Sequence, residues 1–238
     1  MTCRRGTINY TVVGDGINVV FLHGWGGDAS AFLFVAERLK SFAKSIVVDF
    51  NGFGKTPEPD RPYSVGDSAG EVLSVLEKEG VDSVIIVGHS FGGRVAMEIS
   101  AKFPDIVSGL VLVDSAGLKP RRKLGYYLKI YTHKLLKFLG FKGLKGSKDY
   151  RCLSFLMKET FKNVVGYDQT YLLCDISAPT AIFWGKKDKE TPVYMAHRLE
   201  KGIGDSSLFL LDGGHYAYID DLERFIGILS AFIRQVGE

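Results

Sequence analysis

The chain has 238 residues, 46% hydrophobic and 24% charged, with a formal net charge of +3. That balance excludes an intrinsically disordered chain and suits one large domain with a buried core. Apolar runs such as Val19–Leu22 are far shorter than the roughly 20 residues of a membrane-spanning helix, so no integral membrane segment is expected.

Met1-Thr2-Cys3-Arg4-Arg5-Gly6 leads straight into a strand-like stretch, without the apolar centre of a secretory signal. The three cysteines, Cys3, Cys152 and Cys174, form no Cys-x-x-Cys pair and no Cys/His ligand spacing, so neither a disulfide framework nor a metal site is expected. A reducing, cytoplasmic setting is the expectation. Strands are predicted over 8–13, 19–23, 46–50, 84–88 and 110–114. Several are almost continuously apolar, as in Val84-Ile85-Ile86-Val87 and Leu110-Val111-Leu112-Val113, the pattern of parallel strands covered on both faces. Helices are predicted over 65–78, ended by Gly80, and over 91–103, stopped by Pro104. The alternation predicts an α/β fold with a mainly parallel sheet.

After Gly117 the rhythm changes. Residues 118–173 show no convincing strand and read as a helical cap inserted into a core made of residues 1–117 and 174–238. Within it Leu124, Tyr127, Leu128, Tyr131, Leu135, Phe138 and Leu139 follow helical spacing as one apolar stripe, with Lys129, Lys134 and Lys137 elsewhere on the wheel. From Leu118 to Thr170 there are 13 Lys/Arg against 3 Asp/Glu, which leaves the remainder of the chain acidic by 7. The βα rhythm resumes with a strand at 180–184, a helix at 194–201, a strand at 208–211 and a closing helix at 221–234.

The run Gly88-His89-Ser90-Phe91-Gly92 joins a predicted strand to a predicted helix, the setting in which a serine sits on a tight elbow. Ser90 is the candidate nucleophile. The Phe91 N–H, at a helix N-terminus, is a candidate oxyanion donor, and Trp25 in His23-Gly24-Trp25-Gly26-Gly27 supplies the second from the neighbouring loop. Of the five histidines, His215 in Asp212-Gly213-Gly214-His215 follows a strand whose end lies at the same sheet edge, which makes it the candidate base. His23 and His89 sit in turns where loop packing is the ordinary role, and His133 and His197 lie on predicted helices. Asp188, after the strand at 180–184, is the candidate orienter of the base, with Glu190 and Asp114 as rivals.

These motifs resemble the α/β-hydrolase superfamily, and the order Ser, Asp, His is that family's order. The run Asp49-Phe50-Asn51-Gly52-Phe53-Gly54-Lys55-Thr56 is similar to its D-x-x-G-x-G-x-S loop, with Thr56 in place of serine. The resemblance implies eight strands, a cap over the active site, and catalysis through an acyl-enzyme without metal or organic cofactor. The expected activity is that of a carboxylesterase acting on a small ester or acyl substrate, with no nucleic-acid partner. Members that open epoxides or remove halide use an aspartate where Ser90 stands, so those reactions are disfavoured. Two alternatives stay open: a lyase or carbon–carbon hydrolase of an acidic substrate, and a non-catalytic ligand-binding member.

The basic cap reads first as a solvated face over an apolar roof. Its second reading is an anion site with Arg94, Arg121 and Arg122 as clamps, since the planar guanidinium suits carboxylates; the family's lyases of menaquinone synthesis also place an arginine four residues after the serine. Its third is membrane-surface association through a basic amphipathic helix. Candidate substrate-lining residues are His23, Arg94, Tyr127, Tyr131 and Phe138. The natural substrate and the oligomeric state stay open.

Overall fold

The structure is a computed structural model and describes residues 8–119 and 152–237. Seven strands form one sheet: β1 (Tyr10–Val13), β2 (Ile17–Leu22), β3 (Ala43–Val48), β4 (Val84–His89), β5 (Val107–Val113), β6 (Thr180–Gly185) and β7 (Ser206–Leu211). The spatial order is β1-β3-β2-β4-β5-β6-β7. Every pairing is parallel except β1 against β3, so β2 and β4 to β7 all end at one edge. Among the described residues the sheet therefore has seven strands rather than eight, with the antiparallel β1 closing one side and β7 the other.

The apolar runs have a simple cause. Alternate residues of each central strand enter opposite cores, Val20, Leu22, Val84, Ile86, Leu110 and Leu112 on one face, Val19, Phe21, Ile85, Val87, Val111 and Val113 on the other. A strand buried on both sides has no polar face to show. The first core is covered by α2 (Val65–Lys78), α3 (Phe91–Lys102) and α5 (Tyr194–Gly202), the second by α1 (Ser30–Leu39) and α7 (Leu222–Gly237).

Local chemistry sets the helix ends. Ser64 and Asp67 form a capping box at the start of α2, and Gly80, at φ +64°, lets the chain turn after it. Between β5 and β6 the described part holds α4 (Phe155–Gly166), begun by the Ser154 side chain accepting from the Met157 N–H, and a short 3-10 turn at Thr170–Asp175. The short α6 (Ala217–Asp220) precedes α7. Helix α1 was not among the predicted elements, although Phe32, Val35, Ala36 and Leu39 carry a helical repeat. The apolar stripe with Tyr127, Tyr131 and Phe138, and the pair Arg121 and Arg122, lie outside the described residues, as does His133. Among the described residues no helix is long and apolar enough to cross a membrane.

Candidate active site

Ser90 stands between β4 and α3 with φ +51° and ψ −106°, a backbone state that side chains rarely adopt. The turn closes because its flanking residues lack side chains. A Cβ on Gly88 would strike the Gly92 backbone, and one on Gly92 would strike the Leu22 carbonyl oxygen of the neighbouring strand. The serine is then held by its own backbone, its N–H donating to Val113 O (3.0 Å) and its carbonyl accepting from Ala116 N–H (3.0 Å).

Because β4, β6 and β7 are parallel, the turns after them converge. Ser90 Oγ donates to His215 Nε2 at 2.9 Å, and His215 Nδ1–H donates to Asp188 Oδ2 at 2.8 Å. The Asp188 side chain is fully buried and the His215 side chain 8% exposed. Burial alone would discharge both groups. It is outweighed by their mutual hydrogen bond and opposite charge, so the Asp188 carboxyl lies below its ordinary range and the His215 imidazole above its own. Thr191 Oγ1–H donates to Asp188 Oδ2 (2.6 Å), while the Thr191 and Glu190 N–H groups donate to Asp188 Oδ1 (3.0 and 2.8 Å). The carboxylate is thus fixed at both oxygens.

Of the two rivals, Asp114 makes no hydrogen bond to the imidazole and instead accepts the Gly185 N–H at 2.7 Å. Glu190, an exposed side chain, faces the other ring nitrogen, with Oε2 3.5 Å from His215 Nε2. His89 is buried. Its Nε2–H donates to the His215 carbonyl at 2.7 Å, and burial depresses its pKa to about 3, so it stays neutral and anchors the loop of the other histidine.

A cavity of about 240 Å³ opens over the serine, lined by Trp25, Ser90, Phe91, Arg94, Phe161 and Glu190 among others. The Trp25 ring packs edge-on against Phe53, Phe91 and Phe161. Among the described residues neither the Trp25 nor the Phe91 backbone N–H donates to a protein acceptor. His23 is not part of the cavity wall, contrary to the expectation of a lining role. Both its ring nitrogens are engaged, Nδ1 with Gly24 O (2.8 Å) and Nε2 with the Phe50 N–H (3.1 Å), so it pins two loops together. His197 lies on the surface of α5 beside Glu200.

The loop after β3 is held by Asp49, which accepts from the Ala29 and Lys55 N–H groups and from Asn9 Nδ2. Thr56 Oγ1 donates to Asp49 O and accepts from Asn9 N–H, the two bonds a serine hydroxyl could also make. Arg94 is 7% exposed, and its Nη1 donates to Tyr167 O at 2.6 Å. Burial lowers its pKa only to about 10, so it remains a cation at neutral pH, and it makes no ion pair among the described residues.

Thr191 and the partner that His89 takes were not read from the sequence, although loop packing was the expected role of His89. A threonine three residues after an aspartate is a recognisable side-chain-to-backbone turn signal, whereas nothing local marks His89 as the partner of a carbonyl 126 residues away.

The comparisons agree with this architecture. The sequence family described as the alpha/beta hydrolase fold matches residues 17–145, more than half of the chain. The chain is similar to 2-hydroxy-6-oxo-6-(2'-aminophenyl)hexa-2,4-dienoic acid hydrolase of Metapseudomonas resinovorans, 28% identical over 94% of this chain and 86% of that protein. Among solved structures, an esterase from Exiguobacterium antarcticum superposes with a TM-score of 0.78 at 24% identity, covering 95% of each chain. A thermophilic esterase from Thermogutta terrifontis superposes with a TM-score of 0.78 at 21% identity, covering 100% of this chain and 97% of the other. At those identities the two structures speak for the fold, and with the sequence match they lead to one conclusion: the chain belongs to the α/β-hydrolase family.

Proposed function

We propose that the chain is a serine hydrolase that cleaves a carboxylic ester, or a related acyl bond, of a small and partly apolar substrate. The observation that carries this reading is the unbroken hydrogen-bonded line from Ser90 Oγ through His215 to Asp188 beside the cavity. Ser90 Oγ attacks the carbonyl carbon as its proton passes to His215 Nε2, and the carbonyl electron pair moves onto oxygen. The Trp25 and Phe91 N–H groups donate to that oxyanion; one such donor is worth about 100- to 1000-fold in rate. Collapse expels the alcohol, which takes the proton from Nε2. Water then attacks the acyl-enzyme by the same route, its proton going to His215 and on to Ser90. Asp188 holds the productive tautomer and stabilises the imidazolium. Residues 118–173 are assigned to a cap, and of its described part Phe161, Val164 and Val165 of α4 line the cavity wall.

The test is a series of p-nitrophenyl esters of increasing acyl length with wild type and Ser90→Ala, alongside fluorophosphonate labelling. Turnover and labelling that both vanish in Ser90→Ala are the expected result. Absence of both in wild type refutes the reading.

One observation favours a second reading, an acidic substrate in a hydrolytic carbon–carbon or lyase reaction. Arg94 brings a buried cation to the cavity wall with no carboxylate in ion-pair contact among the described residues, Asp168 acting on it only from a distance, and buried charges are ordinarily paired. The dienoic acid hydrolase to which the chain is similar acts, by its name, on an acid. If Arg94 receives a carboxylate, Arg94→Gln lowers kcat/KM for a dicarboxylic monoester about tenfold or more relative to the matching neutral diester. Equal losses on both esters count against it.

A further inference from the structure

We propose that Asp114 is a positioning residue of this site: its buried carboxyl holds the turn that carries Asp188 against the loop that carries His215, and its proton is exchanged in step with that of the imidazole. The inference rests on the proposed roles of Ser90, His215 and Asp188. Asp114 follows β5 and is completely buried. With φ +43° it shares with Ser90 the distinction of being a non-glycine residue at positive φ among the described residues. Such a conformation is strained for a residue with a side chain and persists where the surroundings over-determine it.

The surroundings do so here. Asp114 N–H donates to Phe183 O (3.0 Å), Oδ1 accepts from Gly185 N–H (2.7 Å), and its carbonyl lies 3.1 Å from Thr191 Oγ1, the hydroxyl that also reaches Asp188. One residue therefore holds the start of the turn from Gly185 to Thr191 through its carboxyl and lies beside the Thr191 hydroxyl at the other end. Its second oxygen, Oδ2, is buried with no hydrogen-bond partner among the described residues.

An ionised oxygen in that position would be costly, and burial pushes the Asp114 carboxyl up to about 7, with the charge of Asp188 acting the same way. The Gly185 N–H and the charge of His215 pull it down, with a smaller pull from the Ala217 N–H, which lies outside hydrogen-bond geometry. The titratable groups around it are Asp188 from the turn after β6 and His215 and Tyr218 from the segment after β7; Glu190 and His89 reach the same imidazole. While Asp114 is neutral, Asp188 is the principal buried charge facing His215, and the imidazole loses its proton more readily. Once Asp114 ionises, a second negative charge retains that proton to higher pH. The two groups then titrate as a coupled pair.

The experiment is an NMR titration of the His215 ring in wild type and Asp114→Asn, with ester kinetics for both and for Asp114→Ala. The asparagine keeps an acceptor for Gly185 N–H and has no proton to exchange. The expected wild-type curve has two overlapping steps; in Asp114→Asn one step remains, with its midpoint lower by about 0.5 pH unit or more. Asp114→Asn keeps kcat/KM within about threefold, while Asp114→Ala loses roughly 10- to 100-fold, in kcat rather than KM. Superposable single-step titrations overturn the coupling, and wild-type rates in Asp114→Ala overturn the positioning. Equal losses in both variants with an unmoved titration reduce Asp114 to packing and overturn both. If Asp114→Ala does not fold, Asp114→Asn decides. The titration needs no substrate, so absence of ester turnover in wild type would remove the hydrolase reading and leave the titration to judge Asp114.

Discussion

Replacing Gly185 by alanine should cripple the site from a position that touches no substrate. Gly185 ends β6, and a Cβ there would overlap the Gly214 carbonyl oxygen and crowd that of Gly213. Both obstacles are backbone, which cannot rotate away. The turns carrying Asp188 and His215 would have to part by about 1 Å to restore ordinary contact. That separation strains the bonds between the same turns, Lys186 N–H to Leu211 O (3.0 Å) and Lys187 N–H to Gly213 O (2.9 Å), together with the 2.8 Å bond of Asp188 to His215. Overpacking of this kind costs about 1–3 kcal/mol of stability, and a 1 Å misplacement of catalytic groups about 100-fold in rate. Gly214→Ala is the matched control, because a Cβ there meets nothing within 4 Å. It should leave stability within about 0.5 kcal/mol and activity near wild type. Urea unfolding, kcat/KM on p-nitrophenyl acetate and the fluorophosphonate labelling rate of Ser90 measure both effects. Gly185→Ala within threefold of wild-type activity, or Gly214→Ala impaired as badly as Gly185→Ala, would refute the reasoning.

Three further outcomes are expected. Because Asp188 raises the His215 pKa above 6.5 and the proposed mechanism needs His215 unprotonated as base, kcat/KM should climb with pH and reach half its plateau above pH 6.5; Asp188→Asn should move that limb down and lower the plateau by about 10³- to 10⁴-fold. Thr191→Val removes a 2.6 Å bond to Asp188 Oδ2, and steady-state kinetics should show roughly a tenfold loss confined to kcat, with an unchanged circular dichroism spectrum. His89 is neutral when folded, its pKa depressed from 6.5 to about 3, so its contribution to stability is complete above pH 6.5. As pH falls below 6.5 only the unfolded chain takes up that proton, and stability should drop by about 1.4 kcal/mol per pH unit from this group. Denaturation curves between pH 7 and 4.5 should be measurably flatter in His89→Gln.

Much of the fold was legible because it depends on local rules. The buried strands announced themselves as unbroken apolar runs, helix 65–78 matched its observed range, and the elbow was visible as two glycines flanking a serine between a strand and a helix. The choice between Asp114 and Asp188 was a different kind of question. Both follow apolar strands, and nothing in either run states where the carboxyl points. Thr191 and the link from His89 to the His215 carbonyl were likewise invisible, since they join residues brought together only by adjacent parallel strands. Helix α1 was not among the predicted elements even though its repeat is present, and among the described residues the sheet holds seven strands.

The sequence by itself determined the alternation of strand and helix, the parallel sheet and the identity of the serine elbow. These follow from the spacing of apolar residues and from the φ values that glycine permits, both of which are properties of neighbouring residues. The sequence put Asp188 first as the partner of His215, but tertiary structure alone decided that Asp114 grips Gly185 instead, that His23 uses both ring nitrogens in loop packing, and that Arg94 is buried at the cavity wall. Each of those outcomes is set by which donors and acceptors meet when distant turns converge on one sheet edge. A buried polar group takes the partner that the converging chain presents, and that partner has no fixed distance along the sequence.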